Sequence, residues 1–397
     1  MDSVVNPYSP GAGTLPPELA GRDLLRNQIR IALARLRAGR AAKSIIIIGL
    51  RGVGKTVLLD QMRNEAEAAG MQTVRAETPE NRSLPAVLAP LLRLALLRLS
   101  RVPWAKDMAN HGLRALAGFA TGLKVKYHDI EVGFDLDPEP GLADNGELEG
   151  DLTALLEAVG QAAKGAGTVV VLFIDELQYL PEEQFAALIT ALHRCAQSNL
   201  PVTLVGAGLP QLRGLAGHAK SYAERLFDFP MIGALTDAQA ELAIQKPARD
   251  EGVEFAPGAL KEILAETRNY PYFLQEWGKH SWEVALQSPI TREDVRAASE
   301  SAVAALDTSF FGVRFDRLTP NEKKYLRSMA ELGEGPHRSG DIAAVMGGAV
   351  SRFAPMRQHL IKKGMIWSPS HGDTAFTVPL FDQYMKRIMP GAGWKID

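Results

Sequence analysis

The sequence lacks the features that tie a chain to an oxidising compartment or to a membrane. Its one cysteine, Cys195, cannot form an internal disulfide, which fits a reducing environment and predicts a cytoplasmic protein. The first residues have neither the basic nor the apolar region of a signal peptide. Apolar runs are strand-sized, short of the roughly 20 residues that cross a bilayer. We therefore expect a globular protein with no membrane partner.

An excess of charge of one sign is also lacking, because the formal net charge is −2 over 397 residues. The charges are nevertheless unevenly distributed. Residues 129–151 carry nine carboxylates and no lysine or arginine, whereas residues 317–387 have a local net charge of +5. The length predicts two or three domains, and the last of them is locally basic.

Short β-branched and apolar runs alternate with helical patterns over the first 235 residues. We expect strands near residues 43–49, 71–76, 168–174, 201–206 and 227–229. Strands that alternate with helices form a parallel sheet with helices on both faces, so the sequence predicts an α/β fold. Residues 100–150 interrupt the alternation, and we expect an insertion there with a β-hairpin at 124–132.

A glycine-rich loop lies between the first predicted strand and a helical pattern. It matches Gly-x-x-x-x-Gly-Lys-[Ser/Thr] in full and consists of Gly49, Leu50, Arg51, Gly52, Val53, Gly54, Lys55 and Thr56. Glycines let backbone N–H groups turn inward as an anion site, which the start of the next helix, including Val57, reinforces. In such a loop Lys55 contacts the β- and γ-phosphates of ATP, and the Thr56 hydroxyl ligates Mg²⁺. The spacing Gly-x-x-Gly-x-Gly excludes the dinucleotide fingerprint Gly-x-Gly-x-x-Gly.

A pair of acids, Asp175 and Glu176, ends the buried strand predicted at 168–174. The carboxyl edge of a parallel sheet is where ligands bind. There Asp175 would hold the Mg²⁺ shell, and Glu176 would activate the attacking water. An Asp-Glu pair also opens helices merely to complement the helix dipole, but its position downstream of a complete glycine loop favours the catalytic interpretation and hence hydrolysis.

Strand patterns stop after residue 235, and two helical segments follow. Thr236-Asp237-Ala238-Gln239 is a capping box that opens the first, and Thr319-Pro320-Asn321-Glu322 opens the second. In the second segment, helices at 320–332, 339–346 and 350–363 precede a hairpin. This is the order of a winged helix-turn-helix.

The third of these helices carries polar side chains that suit a nucleic-acid backbone or base edges. The residues expected on its recognition face or in the following turn are Arg352, Arg357, Gln358, Lys362 and Lys363. Duplex DNA is therefore one expected partner. Two alternatives stay open: a charged face that is only solvated, and a winged helix that docks on protein.

Together the glycine loop, the Asp-Glu pair, the helical lid and the basic C-terminal end resemble the AAA+ ATPases of the initiator (origin-recognition) type and the related STAND NTPases. The resemblance covers nearly the whole chain and implies the P-loop NTPase sheet of the AAA+ (ASCE) type. It implies that Gly21 and Arg22, in Leu19-Ala20-Gly21-Arg22, lie near adenine. It also implies that Pro271, in Asn269-Tyr270-Pro271-Tyr272, contacts the base.

The same resemblance implies an arginine finger. Arg225 precedes the last predicted strand, where AAA+ relatives present an arginine to the neighbouring subunit, so a homo-oligomer is expected. The alternative is a surface arginine paired with Glu224 or Asp228. One departure concerns the fourth strand, expected at 201–206, which is followed by Ala207-Gly208 where the family usually supplies a polar residue. Another is that the lid has Arg268 near, but not at, the usual arginine position.

We expect a P-loop ATPase core at 1–235, a helical lid at 236–312 and a winged helix at 313–397. The expected function is ATP binding and hydrolysis, in which the nucleotide state repositions the winged helix on DNA; the two departures leave slow turnover open. One rival is an ATP/ADP-switched signalling scaffold whose winged helix binds protein. The other is a P-loop kinase or metabolic enzyme, against which a winged-helix end argues.

Overall fold

The computed structural model describes residues 1–11, 13–78, 82–130, 133, 136–391 and 393–395. They form two compact units, which we name after their main secondary structure. The sheet unit consists of Arg22–Gly49 and Lys55–Ile232. The helical unit consists of Met1–Gly21, Leu50–Gly54 and Gly233–Asp397. The middle of the glycine loop therefore belongs to the helical unit, and the two ends of the loop belong to the sheet unit.

The sheet unit alternates strands and helices as expected. Its strands are β1 (Ser44–Ile48), β2 (Gln72–Glu77), β3 (Val170–Asp175), β4 (Val202–Gly208) and β5 (Phe227–Asp228). Its helices are α1 (Asp23–Arg37), α2 (Lys55–Ala68), α3 (Leu84–Leu99), α4 (Lys106–Leu123), α5 (Leu148–Gly165), α6 (Glu182–Gln197), α7 (Leu212–Ala219) and α8 (Ala223–Leu226).

The five strands pair in parallel in the order β5-β1-β4-β3-β2. Every residue of β1, β3 and β4 is buried, because helices cover both faces of the sheet. The hydroxyls of Ser44 and Thr203 lie 3.0 Å apart at the amino ends of β1 and β4, which satisfies both in the core. The expected α/β fold with a parallel sheet is confirmed, and all five expected strands are present.

The hairpin expected at 124–132 is wrong over the part that the structure describes. Residues 124–130 form turns after α4, and Glu131 and Val132 lie outside the described residues. The amides of Lys126 and Tyr127 both donate to the carbonyl of Leu123, at 3.0 and 2.8 Å, which continues the end of α4. Alternating polarity is a strand signal only where a partner strand can pair, and here local helix-end bonds take the backbone groups.

The helical unit contains the elements after residue 236. Its helices are α9 (Asp237–Asp250), α10 (Pro257–Thr267), α11 (Pro271–Val284), α12 (Arg292–Ala305), a π-helical turn (Leu306–Gly312), α13 (Val313–Asp316), α14 (Pro320–Glu331), α15 (Ser339–Val345), α16 (Val350–Lys362) and α17 (Phe381–Ile388). Its strands are β6 (His337–Arg338), β7 (Ile366–Trp367) and β8 (Asp373–Phe376), which pair in the antiparallel order β6-β8-β7.

Both expected capping boxes are present, at Thr236 before α9 and at Thr319 before α14. In the second box Glu322 also receives the ammonium of Lys363 at 2.7 Å. Burial alone would raise the pKa of the Glu322 carboxyl, but hydrogen bonds from Lys363 and Thr319 hold that pKa below its ordinary value. The carboxylate therefore fastens the start of α14 to the turn after α16.

None of the helices in the described part of the chain is long and apolar enough to cross a bilayer. The thiol of Cys195 is fully buried in the sheet unit, and burial raises its pKa to about 12.

Candidate functional site

Four residues of the two nucleotide motifs form two contacts in the sheet unit. The Thr56 hydroxyl donates to Oδ2 of Asp175 over 2.7 Å, although the two residues are 119 positions apart in sequence. The buried Lys55 ammonium donates to the carbonyl of Gly49 over 3.0 Å. The contact forms because α2 begins and β3 ends at the carboxyl edge of the sheet. Hydroxyl and carboxylate oxygens are ligands that Mg²⁺ prefers, so these residues fit that ion.

A further cation, Arg75, lies beside the same carboxylate. Its guanidinium is 3.5 Å from Oδ2 of Asp175 and donates to Asp60 over 2.6 Å. Asp175 is only 2% exposed, so a nearby positive charge compensates the loss of hydration of the carboxylate. Sequence analysis missed Arg75. The available signal was a charged residue in a predicted strand next to the one that ends in Asp175.

Glu176 follows β3 with its backbone in the left-handed region, at φ 55°. Few residues other than glycine adopt this conformation, and those that do cluster at functional sites. Thr78, another residue that sequence analysis missed, donates its hydroxyl to the carbonyls of Asp175 at 3.0 Å and Glu176 at 2.6 Å. These bonds fix the turn that directs the Glu176 side chain.

The middle of the glycine loop makes its contacts within the helical unit. The amide of Arg51 donates to the carbonyl of Thr377 over 3.2 Å, and its carbonyl accepts the hydroxyl of Tyr270. The carbonyl of Gly52 accepts the amide of Tyr272 over 3.2 Å. A side chain at Gly52, where φ is 82°, would meet the Tyr270 ring at 3.0 Å. Val53 is 1% exposed, and Gly54 also has a positive φ, 89°.

The helical unit also holds two residues expected near the base. Pro271 is the first residue of α11 and lies between the two tyrosines that contact the loop. Gly21 has φ 71°, and a Cβ there would lie 2.6 Å from the side chain of Gln239. In the sheet unit, Arg22 precedes α1 and is buried, which lowers the pKa of its guanidinium. Val57 lies buried in the first turn of α2.

Arg225 lies in α8, immediately before β5, and is exposed. The carboxylate of Asp228, one of its two expected alternative partners, lies 3.2 Å from the ammonium of Lys43. Arg225 therefore lies on the surface of the sheet unit. It belongs to a different element, α8, from Thr56 in α2 and Asp175 in β3.

The residues expected to contact DNA fall into two groups. Arg352, Gln358 and Lys362 are exposed on α16. Arg357 instead binds β8 and the residue after β7, donating to Thr374 at 2.8 Å and to Ser368 at 2.9 Å. Lys363 is the partner of Glu322 described above. The structure therefore brings three of the five side chains to the surface of α16 and gives the other two partners within the fold.

Comparison with known families identifies two parts of the chain. Residues 18–205 match the AAA ATPase domain. Residues 308–385 match a domain of unknown function (DUF8462). No curated protein matches the sequence. The first match, together with the parallel sheet, supports an AAA+ P-loop ATPase.

Solved structures with a related fold share little sequence with the chain. A Walker-type ATPase of Pyrococcus abyssi is 15% identical, with a TM-score of 0.57, over 94% of this chain and 99% of that one. The RuvB Holliday junction branch migration motor of Thermotoga maritima is 18% identical, with a TM-score of 0.46, over 92% and 96%. The Orc1 protein of Aeropyrum pernix, solved in complex with DNA, is 16% identical, with a TM-score of 0.48, over 94% of each chain. The first of these likenesses shows the shared fold.

Proposed function

We propose that the protein binds ATP with Mg²⁺ and hydrolyses the ATP. The observation that carries this proposal is the 2.7 Å contact between Thr56 and Asp175, which joins the two nucleotide motifs in one cluster of oxygen ligands. Lys55 is next to this cluster in sequence and supplies a buried ammonium. A buried cation beside an anion-binding loop suits the phosphates of a nucleotide.

Residues of the chain have three roles in the proposed reaction. Thr56 and Asp175 would hold the ion, which would supply positive charge to neutralise the phosphates when bound. Lys55 binds the phosphates in place of the Gly49 carbonyl. Glu176 accepts the proton of the attacking water, as a positioned carboxylate does in general-base catalysis.

Binding and turnover should separate in two variants. Lys55→Ala should weaken ATP binding about 10- to 100-fold, because a charge-assisted hydrogen bond is lost. Glu176→Gln should bind ATP normally and lower kcat about 10²- to 10⁴-fold, because the general base is lost. Phosphate release and equilibrium ATP binding measure the two effects. Glu182→Gln, an equal loss of charge at an exposed site in α6, is the control. Hydrolysis by Glu176→Gln at the wild-type rate would contradict the role of Glu176 as the general base.

We further propose that the nucleotide state controls the C-terminal part of the helical unit. In a nucleotide-binding glycine loop the amides face the phosphates, whereas here the Arg51 amide donates to Thr377. Thr377 is buried and anchored, because its hydroxyl donates to the carbonyl of Gly364 over 2.6 Å. The Arg51 side chain adds a second bond to the carbonyl of Gly364, at 3.3 Å. Phosphates and the C-terminal part therefore compete for the same amide.

The division that fits this switch is the one expected from sequence: a core at 1–235 with an insertion at about 100–150, a lid at 236–312 and a winged helix at 313–397. Helices α14, α15 and α16 followed by the β7–β8 hairpin support the winged-helix assignment. Its exposed residues Arg352, Gln358 and Lys362 suit the phosphates of duplex DNA. The same helix exposes Val350, at 46%, which favours protein docking as the second candidate.

Two adjacent lysines give a matched test of DNA binding. Lys362→Ala should weaken binding to all duplex sequences alike and reduce the slope of log affinity against log salt by up to about 0.9. Lys363→Ala should leave the slope unchanged and lower the melting temperature, because its ammonium is the partner of Glu322. Fluorescence anisotropy with random duplex over a salt series measures both. The absence of salt-dependent duplex binding by the wild-type protein, with or without ATP, would contradict the proposed role in DNA binding.

We also propose that Arg225 acts on the ATP of a neighbouring copy, so that the active form is a homo-oligomer. Its exposure before β5 supports this role. The Lys43 partner of Asp228 weakens the alternative of a simple surface pair. An arginine that stabilises transition-state charge contributes roughly 10³- to 10⁵-fold in rate.

An arginine supplied in trans should make specific activity rise with protein concentration. Arg225→Ala should bind ATP normally and hydrolyse it slowly. Mixing it with Lys55→Ala should restore turnover, because the second variant supplies the arginine without a working site of its own. Arg213→Ala, a charge loss in α7, is the control. Concentration-independent turnover by a monomer would contradict the role in trans.

A further inference from the structure

The carboxyl end of β4 has no polar side chain of its own. The strand ends in Gly206, Ala207 and Gly208, the departure from the AAA+ pattern noted above. Thr203, the nearest polar candidate in the strand, lies at its amino end and pairs with Ser44. A polar group at the carboxyl end must therefore come from another element.

That group is the amide of Gln178, in the 3-10 turn Leu177–Tyr179 after β3. Its Oε1 accepts the backbone amide of Leu209 over 3.0 Å. Its Nε2 donates to Oε2 of Glu176. One side chain thus joins the end of β4 to the carboxylate that we propose as the general base.

The glycines of β4 make room for this turn. A Cβ on Gly208 would lie 2.3 Å from Cδ1 of Leu212 and 2.5 Å from Oε1 of Gln178, and a Cβ on Gly206 would lie 2.4 Å from Cδ1 of Leu177. Real Cβ atoms essentially never come this close, so a side chain at either position would displace these side-chain ends. Neither glycine has a positive φ, so space and not backbone conformation requires glycine here. The two glycines leave the space in which Gln178 lies, and Gln178 supplies the polar group that the end of β4 lacks.

We infer that Gln178 is a positioning residue for ATP hydrolysis, an inference that rests on the function proposed above. Its Oε1 is held by a backbone amide, which fixes the orientation of the whole side-chain amide. The fixed Nε2–H then holds the Glu176 carboxylate in one direction, while the Thr78 hydroxyl holds the Glu176 backbone. A base that is misplaced by about 1 Å can lose roughly 10²-fold in rate.

The test uses an isosteric change in the full-length protein. Gln178→Glu keeps the shape and the acceptor for Leu209 but replaces the donor by a second carboxylate oxygen. We expect kcat to fall about 10- to 100-fold, with ATP affinity and melting temperature close to wild type. Gln197→Glu, the same change at the exposed end of α6, should have wild-type kcat.

A second variant reaches the same contact from the strand. Gly208→Ala places a methyl group 2.5 Å from Oε1 of Gln178 and 2.3 Å from Cδ1 of Leu212, so it should displace the Gln178 amide and lower kcat in the same way. The double variant Gly208→Ala with Gln178→Ala should be no slower than Gln178→Ala alone, because the two changes remove one interaction.

The outcomes separate this inference from the proposed function. If Glu176→Gln stops turnover while Gln178→Glu and Gly208→Ala keep wild-type kcat, the inference is wrong and hydrolysis by Glu176 stands. A loss of ATP affinity and melting temperature in Gln178→Glu, with kcat unchanged, would make Gln178 structural and also overturn it. If Glu176→Gln turns over at the wild-type rate, Glu176 is not the general base and the inference fails with that role, whereas the absence of ATP hydrolysis by the wild-type protein would overturn the proposed function itself.

Discussion

A backbone N–H group forms one full hydrogen bond at a time. This constraint governs the backbone amides in the middle of the glycine loop. Within the helical unit the Arg51 amide donates to Thr377, and the Gly52 carbonyl accepts from Tyr272. These bonds connect the loop to α11 and to the residue after β8. Any ligand that draws the loop amides toward itself must release the first of these bonds. The proposed switch follows from this exchange of hydrogen-bond partners.

In the sheet unit, the parallel alignment of the strands positions the residues that we propose bind the ion and catalyse hydrolysis. Because β1, β3 and β4 run in the same direction, their carboxyl ends meet at one edge, and residues distant in sequence become neighbours. Asp175 lies there in contact with Thr56 and Arg75, and Glu176 lies there in contact with Gln178. The two polar partners of Asp175 compensate its buried carboxylate for lost hydration, so the carboxylate stays available to bind a cation.

The sequence was sufficient for the features that follow from local chemistry. Four consecutive isoleucines predict β1, and the complete glycine motif predicts the turn before α2. It was insufficient where partners are distant: the alternation at 124–130 has no partner strand, and Arg357 binds β8 instead of facing outward. Gln178 escaped notice for the same reason, since its role depends on the space left by Gly208 on a strand that begins 24 residues later.

Hydrogen–deuterium exchange on the Glu176→Gln protein tests the competition for the loop most directly. With ATP and Mg²⁺ added, we predict faster exchange in peptides that contain Thr377, because its carbonyl loses the Arg51 amide and its own amide, which donates to Met365, is then less constrained. Peptides that contain Arg51 should become better protected. The double variant Lys55→Ala with Glu176→Gln should show neither change. Unchanged or slower exchange at Thr377, under conditions where ATP is bound, would contradict the competition for the Arg51 amide.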